Sequence, residues 1–110
     1  MTNETLETIK NRRSCRAYKP EQITNEELDA VLEAGTYAAS AMGRQSAKIV
    51  VVQDAAARAQ LTRMNAAVMG KDTDPMYGAP TILVVLADAH AANAVPDGSL
   101  VMGNLMLAAA

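Results

Sequence analysis

The residues best suited to chemistry stand near the amino end, in Asn11-Arg12-Arg13-Ser14-Cys15-Arg16-Ala17-Tyr18. Three arginines fall close together in a chain whose formal net charge is only -2. Side chains of an extended segment alternate, so Arg12, Ser14 and Arg16 are expected on one face, with Arg13 and Cys15 on the other. Two guanidinium forks flanking a hydroxyl suit a phosphate, because each fork makes paired charge-assisted hydrogen bonds. The same residues also suit a solvated basic turn after a helix, and spacing alone leaves the two readings level.

Other reactive side chains are few. The one histidine, His90, lies in an alanine-rich polar segment without a partner at motif spacing, and is expected at the surface. The one cysteine, Cys15, excludes an internal disulfide and a cysteine-rich metal cage, and is expected to be a packed thiol. Asp72, Asp74, Asp88 and Asp97 lack the tight oxygen-ligand spacing of a calcium loop. No HExxH, GxSxG, GxxxxGK[ST] or GxGxxG motif occurs. Seven methionines at helical spacing read as core filler. The side chains therefore propose no catalytic residue and no metal site. If the chain is an enzyme, a cofactor carries the chemistry.

The totals narrow the class. At 110 residues there is one domain at most, and half of the residues are hydrophobic with a fifth charged, as in an ordinary globular protein. Slight net acidity and only three aromatics, all tyrosine, argue against a nucleic-acid partner. No signal peptide and no long apolar span is evident, so no membrane partner is expected and the cytoplasm is the default compartment.

Local patterns define the positioning elements. Residues 3–12 read as a short helix with Glu4 and Glu7 early, where the helix dipole favours negative charge. Lys19-Pro20 interrupts. Thr24 and Glu27 form a capping box, Ile23 and Leu28 have staple spacing, and Leu28, Val31, Leu32 and Gly35 recur helically, predicting a helix over 25–37. Ala38 to Ser46 is predicted as a loop of small residues. Ile49 to Val52 reads as a strand buried on both faces. Asp54 caps a predicted helix over 55–68 with Leu61, Met64 and Val68 inward. A polar turn over 70–75 precedes a second apolar strand, Thr81 to Leu86. From Asp97 to Ala110 the apolar residues run right round a helix, which then needs cover on all sides. That helix lacks a C-cap signal, so the domain 1–110 is expected to be cut short at its C-terminal end. Strands alternating with helices predict an α/β or α+β sandwich.

Four features in order closely resemble the FMN-dependent nitroreductase family. They are Arg12-Arg13-Ser14-Cys15-Arg16-Ala17-Tyr18 with Pro20 and a capped helix; Ala38-Ala39-Ser40 through Gln45; Gly78-Ala79-Pro80 before the second strand; and Asp97-Gly98-Ser99 through Asn104 to Ala109. The resemblance runs over essentially the whole chain and corresponds to the front part of the family domain. It implies an α+β, nitroreductase-like sandwich, a central sheet flanked by helices, as an intertwined homodimer with FMN at each subunit interface. Arg12, Ser14 and Arg16 would hold the phosphate, ribityl chain and ring edge, in agreement with their predicted shared face, with Arg13 part of the same motif. Ala39, Ser40 and Ala41 would reach the partner's FMN, while Gln45 and Asn65 would meet the flavin. The last helix would be the centre of the dimer.

The implied activity is ping-pong hydride transfer from NAD(P)H through FMN to a small acceptor such as a nitroaromatic or quinone. The chain departs from the family at Ala39, where proline is frequent, and at Ser46-Ala47, where Pro-Trp is frequent, which opens the substrate face. A non-catalytic flavin-binding or dimerisation module, or an incomplete fragment of such an enzyme, stays open as the alternative. A nucleic-acid-binding role for Arg12, Arg13 and Arg16 is disfavoured.

Overall fold

A computed structural model describes residues 1–110. In chain order the elements are α1 (Glu4–Asn11), α2 (Asn25–Thr36), a 3-10 turn (Ala41–Gly43), β1 (Lys48–Val52), α3 (Ala55–Met69), β2 (Ile82–Leu86) and α4 (Ala94–Ala108). The two strands pair in one small sheet. The chain divides into two compact units. The first comprises Met1–Ser14, Thr24–Ile49 and Val85–Ala110, and the second comprises Cys15–Ile23 and Val50–Val84.

Three helices of the chain start where their caps dictate. The Asn3 side chain accepts the Leu6 N–H at 2.9 Å to open α1. At α2 the Thr24 hydroxyl accepts the Glu27 N–H at 3.1 Å, and the Glu27 carboxylate accepts the Thr24 N–H at 2.9 Å. This reciprocal pair satisfies two donors that the helix itself leaves orphaned. Asp54 caps α3 by accepting the Ala57 N–H at 2.9 Å. Gly70 closes that helix with φ of 67°, a left-handed conformation that glycine adopts without a Cβ penalty.

In the first unit, α2 and α4 pack against each other and supply most of its buried residues: Leu28, Gly35, Asp97 and Leu105. Leu105 is the most deeply covered, at 3% exposed. Gly35 permits that contact, since a Cβ there would lie 2.7 Å from Leu105 Cδ2 and 2.8 Å from Ile49 Cδ1. Asn104 of α4 donates from its amide to the Ala34 carbonyl of α2 at 2.9 Å, fixing the helices in register. In the second unit, Gln22 ties the segment before α2 to the entry of β2. Its amide donates to the Pro80 carbonyl at 2.8 Å and its carbonyl oxygen accepts from the Thr81 hydroxyl. Gln53 donates to the same Thr81 oxygen at 3.0 Å.

Three expectations need correction. β1 is not buried on both faces: Lys48 and Val50 are exposed and the rest is half-buried. With two strands, each has a partner on one side only, and an apolar run does not by itself supply the missing cover. In α3, Leu61 is half-buried, but Met64 is 57% and Val68 89% exposed. The half-buried positions are Ala57, Arg58, Leu61, Thr62 and Ala66, so the partly covered stripe drifts round the helix and leaves Met64 and Val68 outside. α4 starts at Ala94 rather than Asp97, with Pro96 in its first turn, where a missing N–H costs nothing. As the sequence leads one to expect, the chain itself only partly covers the apolar surface of α4, with Leu100, Met102 and Met106 exposed.

The Gly35 contact gives a stability test. Gly35→Ala should lower stability by about 1–3 kcal/mol, the usual cost of overpacking. Gly103→Ala, where a Cβ would meet nothing within 4 Å, should instead be neutral or slightly stabilising, as expected for alanine in a helix. Urea midpoints of the two variants at unchanged slope measure the difference.

Candidate functional site

The Arg12 to Pro20 segment leaves α1 as irregular chain. Arg12 has φ of -55° and ψ of 134°, which is extended, and its N–H donates to the Thr8 carbonyl. Arg12 is half-buried, and every residue from Arg13 to Pro20 is exposed. Arg13 turns back on the helix: its Nη1 donates to the Lys10 carbonyl at 2.7 Å and the Arg12 carbonyl at 2.9 Å. A cation over the last helical carbonyls satisfies orphan acceptors and opposes the negative end of the helix dipole. Arg13 is therefore engaged by α1. Arg12 is in no ion pair, since the one salt bridge of the chain joins Lys10 to Glu7. Ser14 lies with Arg12 in the first unit, and Arg16 belongs to the second.

Cys15 corrects another expectation. It is exposed rather than packed, and its thiol donates to the Ala17 carbonyl at 3.1 Å. A surface segment with no helix or strand offers a small thiol nothing to pack under. His90 is exposed, as expected. No group of three or more His, Cys, Asp or Glu is placed to hold a metal ion.

The small-residue loop after α2 is more ordered than its composition suggests. Ala38 is buried, Ala39 exposed, and Ser40 and Ala41 half-buried. The loop contains three residues with left-handed backbone: Met42 at φ 55°, Gly43 at 65° and Gln45 at 50°. For Met42 and Gln45 such a conformation costs on the order of 1–2 kcal/mol each, so other interactions must hold it. The Ser40 hydroxyl accepts the Gln45 N–H at 3.0 Å, bridging the 3-10 turn. The Gln45 amide reaches the Thr36 carbonyl at the end of α2, at 3.5 Å. From the start of α4, Asp97 Oδ1 accepts the Ala41 N–H at 3.0 Å. Asp97 is 5% exposed, and it is the one charged residue among the buried ones.

The structure thus brings Ala39, Ser40, Ala41 and Gln45 into one braced loop of the first unit. Asn65, in the second unit, is exposed on α3 and donates its amide to the Leu61 carbonyl of its own helix at 2.9 Å. Sequence reasoning missed Asp97 as a structural centre. The available signal was its isolation: it is the sole charge in the apolar final segment, and a lone charge there needs a partner.

The family model described as Nitroreductase family matches residues 9–73, which include the arginine segment, the braced loop and α3. No curated protein matches the chain. Solved structures do. A nitroreductase with bound FMN from Bacteroides fragilis is 34% identical with a TM-score of 0.86, over 98% of this chain and 65% of that one. A nitroreductase with bound FMN from Desulfitobacterium hafniense is 31% identical with a TM-score of 0.87, over 99% of this chain and 65% of that one. A protein named as an NADH dehydrogenase/NAD(P)H nitroreductase from Bacteroides thetaiotaomicron is 29% identical with a TM-score of 0.83, over 98% and 62%. The chain therefore spans just under two thirds of the length of these relatives. Its fold is the α+β nitroreductase fold, and the chain belongs to the Nitroreductase family.

Proposed function

We propose that this chain forms the FMN-binding part of an oxidoreductase that passes hydride from NAD(P)H to a small acceptor such as a nitroaromatic or quinone. The observation that carries the reading is the family match across residues 9–73, joined to an Arg12 guanidinium that is in no ion pair. Its support also includes the FMN bound in the B. fragilis and D. hafniense relatives, and the NAD(P)H nitroreductase name of the B. thetaiotaomicron one.

The donor set fits the cofactor at its anionic end. A phosphate dianion needs charged donors not already held by a carboxylate, and Arg12 meets that condition. Ser14 adds an exposed hydroxyl. Arg13, with its Nη1 held by the Lys10 and Arg12 carbonyls, contributes chiefly charge. Arg16 and Asn65, in the second unit, carry the same proposal on the sequence resemblance alone. The small side chains of Ala39, Ser40 and Ala41 would let the flat ring of the partner copy's FMN approach the backbone, and Gln45 presents a polar group beside them. When bound, FMN supplies the hydride chemistry, which no side chain here could perform. The protein's share is binding, orientation and positive charge near the ring. No side chain is assigned a proton, and solvent serves.

A second copy of the chain is the proposed cover for α4. Leu100 is 49% exposed on that helix, with Met102 and Met106 also open. An apolar helix left this bare in water gains by burial against another such surface. The resemblance further proposes that FMN sits at that interface.

Two measurements test these statements. Arg12→Ala should weaken FMN binding about ten- to hundredfold, the loss of a charge-assisted bond. It should leave riboflavin, which lacks the phosphate, unchanged when both are titrated by flavin fluorescence. A wild-type chain that gains no flavin absorbance with FMN present sinks the reading, and flavin binding without NAD(P)H oxidation leaves a non-catalytic module. Separately, Leu100→Lys should shift the light-scattering mass of the chain from dimer to monomer. A wild-type monomer removes the dimer from the proposal.

A further inference from the structure

We propose that Asp97 is a positioning residue for the flavin site, holding the Ala39–Gln45 loop in a binding-competent shape through its bond to the Ala41 N–H. The proposal rests on the flavin reading of that loop, and its mechanical half can be judged without it.

Three observations lead there. First, Asp97 is buried although it carries a carboxylate, in a segment that is otherwise uncharged from Gly98 to Ala110. Burying an ionised group is unfavourable unless its hydrogen bonds are made, so a buried acid marks a bond the fold depends on. Second, that bond reaches across 56 positions of sequence, from the first turn of α4 to the middle of the loop. Every other side-chain bond to the loop's backbone comes from within the loop, as from Ser40 to Gln45. Third, the loop holds Met42 and Gln45 at positive φ, a shape that relaxes when its anchors are removed. Ala41 is both the anchored residue and one of the three proposed to meet the ring. Freeing it would raise the entropic cost of binding, because the loop would have to be ordered each time a flavin entered.

Asp97 does not touch the flavin in this proposal. It acts through the loop, by accepting one hydrogen bond, so the acceptor oxygen matters and the negative charge does not. Asparagine keeps such an oxygen, and leucine of similar size has none.

The test compares Asp97→Asn and Asp97→Leu with the wild-type chain in two readouts. One is the rate of tryptic cleavage after Arg44, exposed in the loop, referred to cleavage after Lys71, exposed in the turn beyond α3. The other is the dissociation constant for FMN. Asp97→Leu should speed cleavage after Arg44 relative to Lys71 by about tenfold and weaken FMN by a similar factor, the upper scale of one lost hydrogen bond. Asp97→Asn should restore both to within about threefold of wild type. If the leucine variant does not fold, Asp97→Ala deletes the same acceptor with a smaller side chain and should free the loop in the same way.

Wild-type cleavage and FMN affinity in Asp97→Leu would overturn the proposal. So would a loosened loop with unchanged FMN affinity, which would reduce Asp97 to a purely structural part. Failure of Asp97→Asn to restore the loop would equally overturn it, because charge would then be the requirement. If the wild-type chain binds no FMN, the flavin reading fails by itself, and the cleavage ratio still decides whether Asp97 holds the loop.

Discussion

The first unit depends on how closely α2 and α4 approach at Gly35. The absence of a single Cβ lets Leu105 and Ile49 meet the α2 backbone, and Leu105 is in consequence the most buried residue of the core. That approach fixes the polar contacts made elsewhere along both helices. With α2 and α4 locked side by side, the amide of Asn104 reaches the Ala34 carbonyl, and the first turn of α4 lies beside the loop that leaves α2. Asp97 can then meet the Ala41 N–H. A wider spacing would separate the acid from its donor and leave a charge buried without a partner, which the fold could not tolerate.

The proposed site grows from the ends of helices rather than from their faces. α1 ends in the arginine segment, where Arg13 closes the helix and leaves Arg12 unpaired. α2 ends in the loop of small residues, whose left-handed positions are braced by Ser40 and Asp97. Helix ends carry unsatisfied backbone groups, so they recruit polar side chains anyway. In this chain the same polar side chains also set which cations and amides stay available to a ligand. Arg13 shows the division well: its Nη1 is held by the carbonyls at the end of α1, and the neighbouring Arg12 guanidinium is not.

The outer surface is informative for the opposite reason. The chain leaves Leu100, Met102 and Met106 on α4, and Met64 and Val68 on α3, exposed. Single exposed apolar residues are ordinary, but a helix that is apolar round its circumference is built to be enclosed. α4 covers one side internally through Leu105 and leaves Leu100, Met102 and Met106 exposed.

What could be read from the residues alone was the part of the structure governed by neighbours in sequence. Thr24 with Glu27, and Asp54, announce their helices because a cap is a bond across three positions, and the same short range makes the apolar runs of both strands legible. The family resemblance is equally local, four short motifs in order. Burial was not legible in this way. β1, Val68 and Cys15 all have residue types that favour the interior, and all are more exposed than expected, because cover comes from elements far away in the chain. Asp97 is the converse case, a charged residue buried because a donor 56 positions earlier is brought to it. Only the tertiary fold decides such pairings, since the free energy of a buried group depends on what surrounds it in space, and short-range sequence patterns do not carry that information.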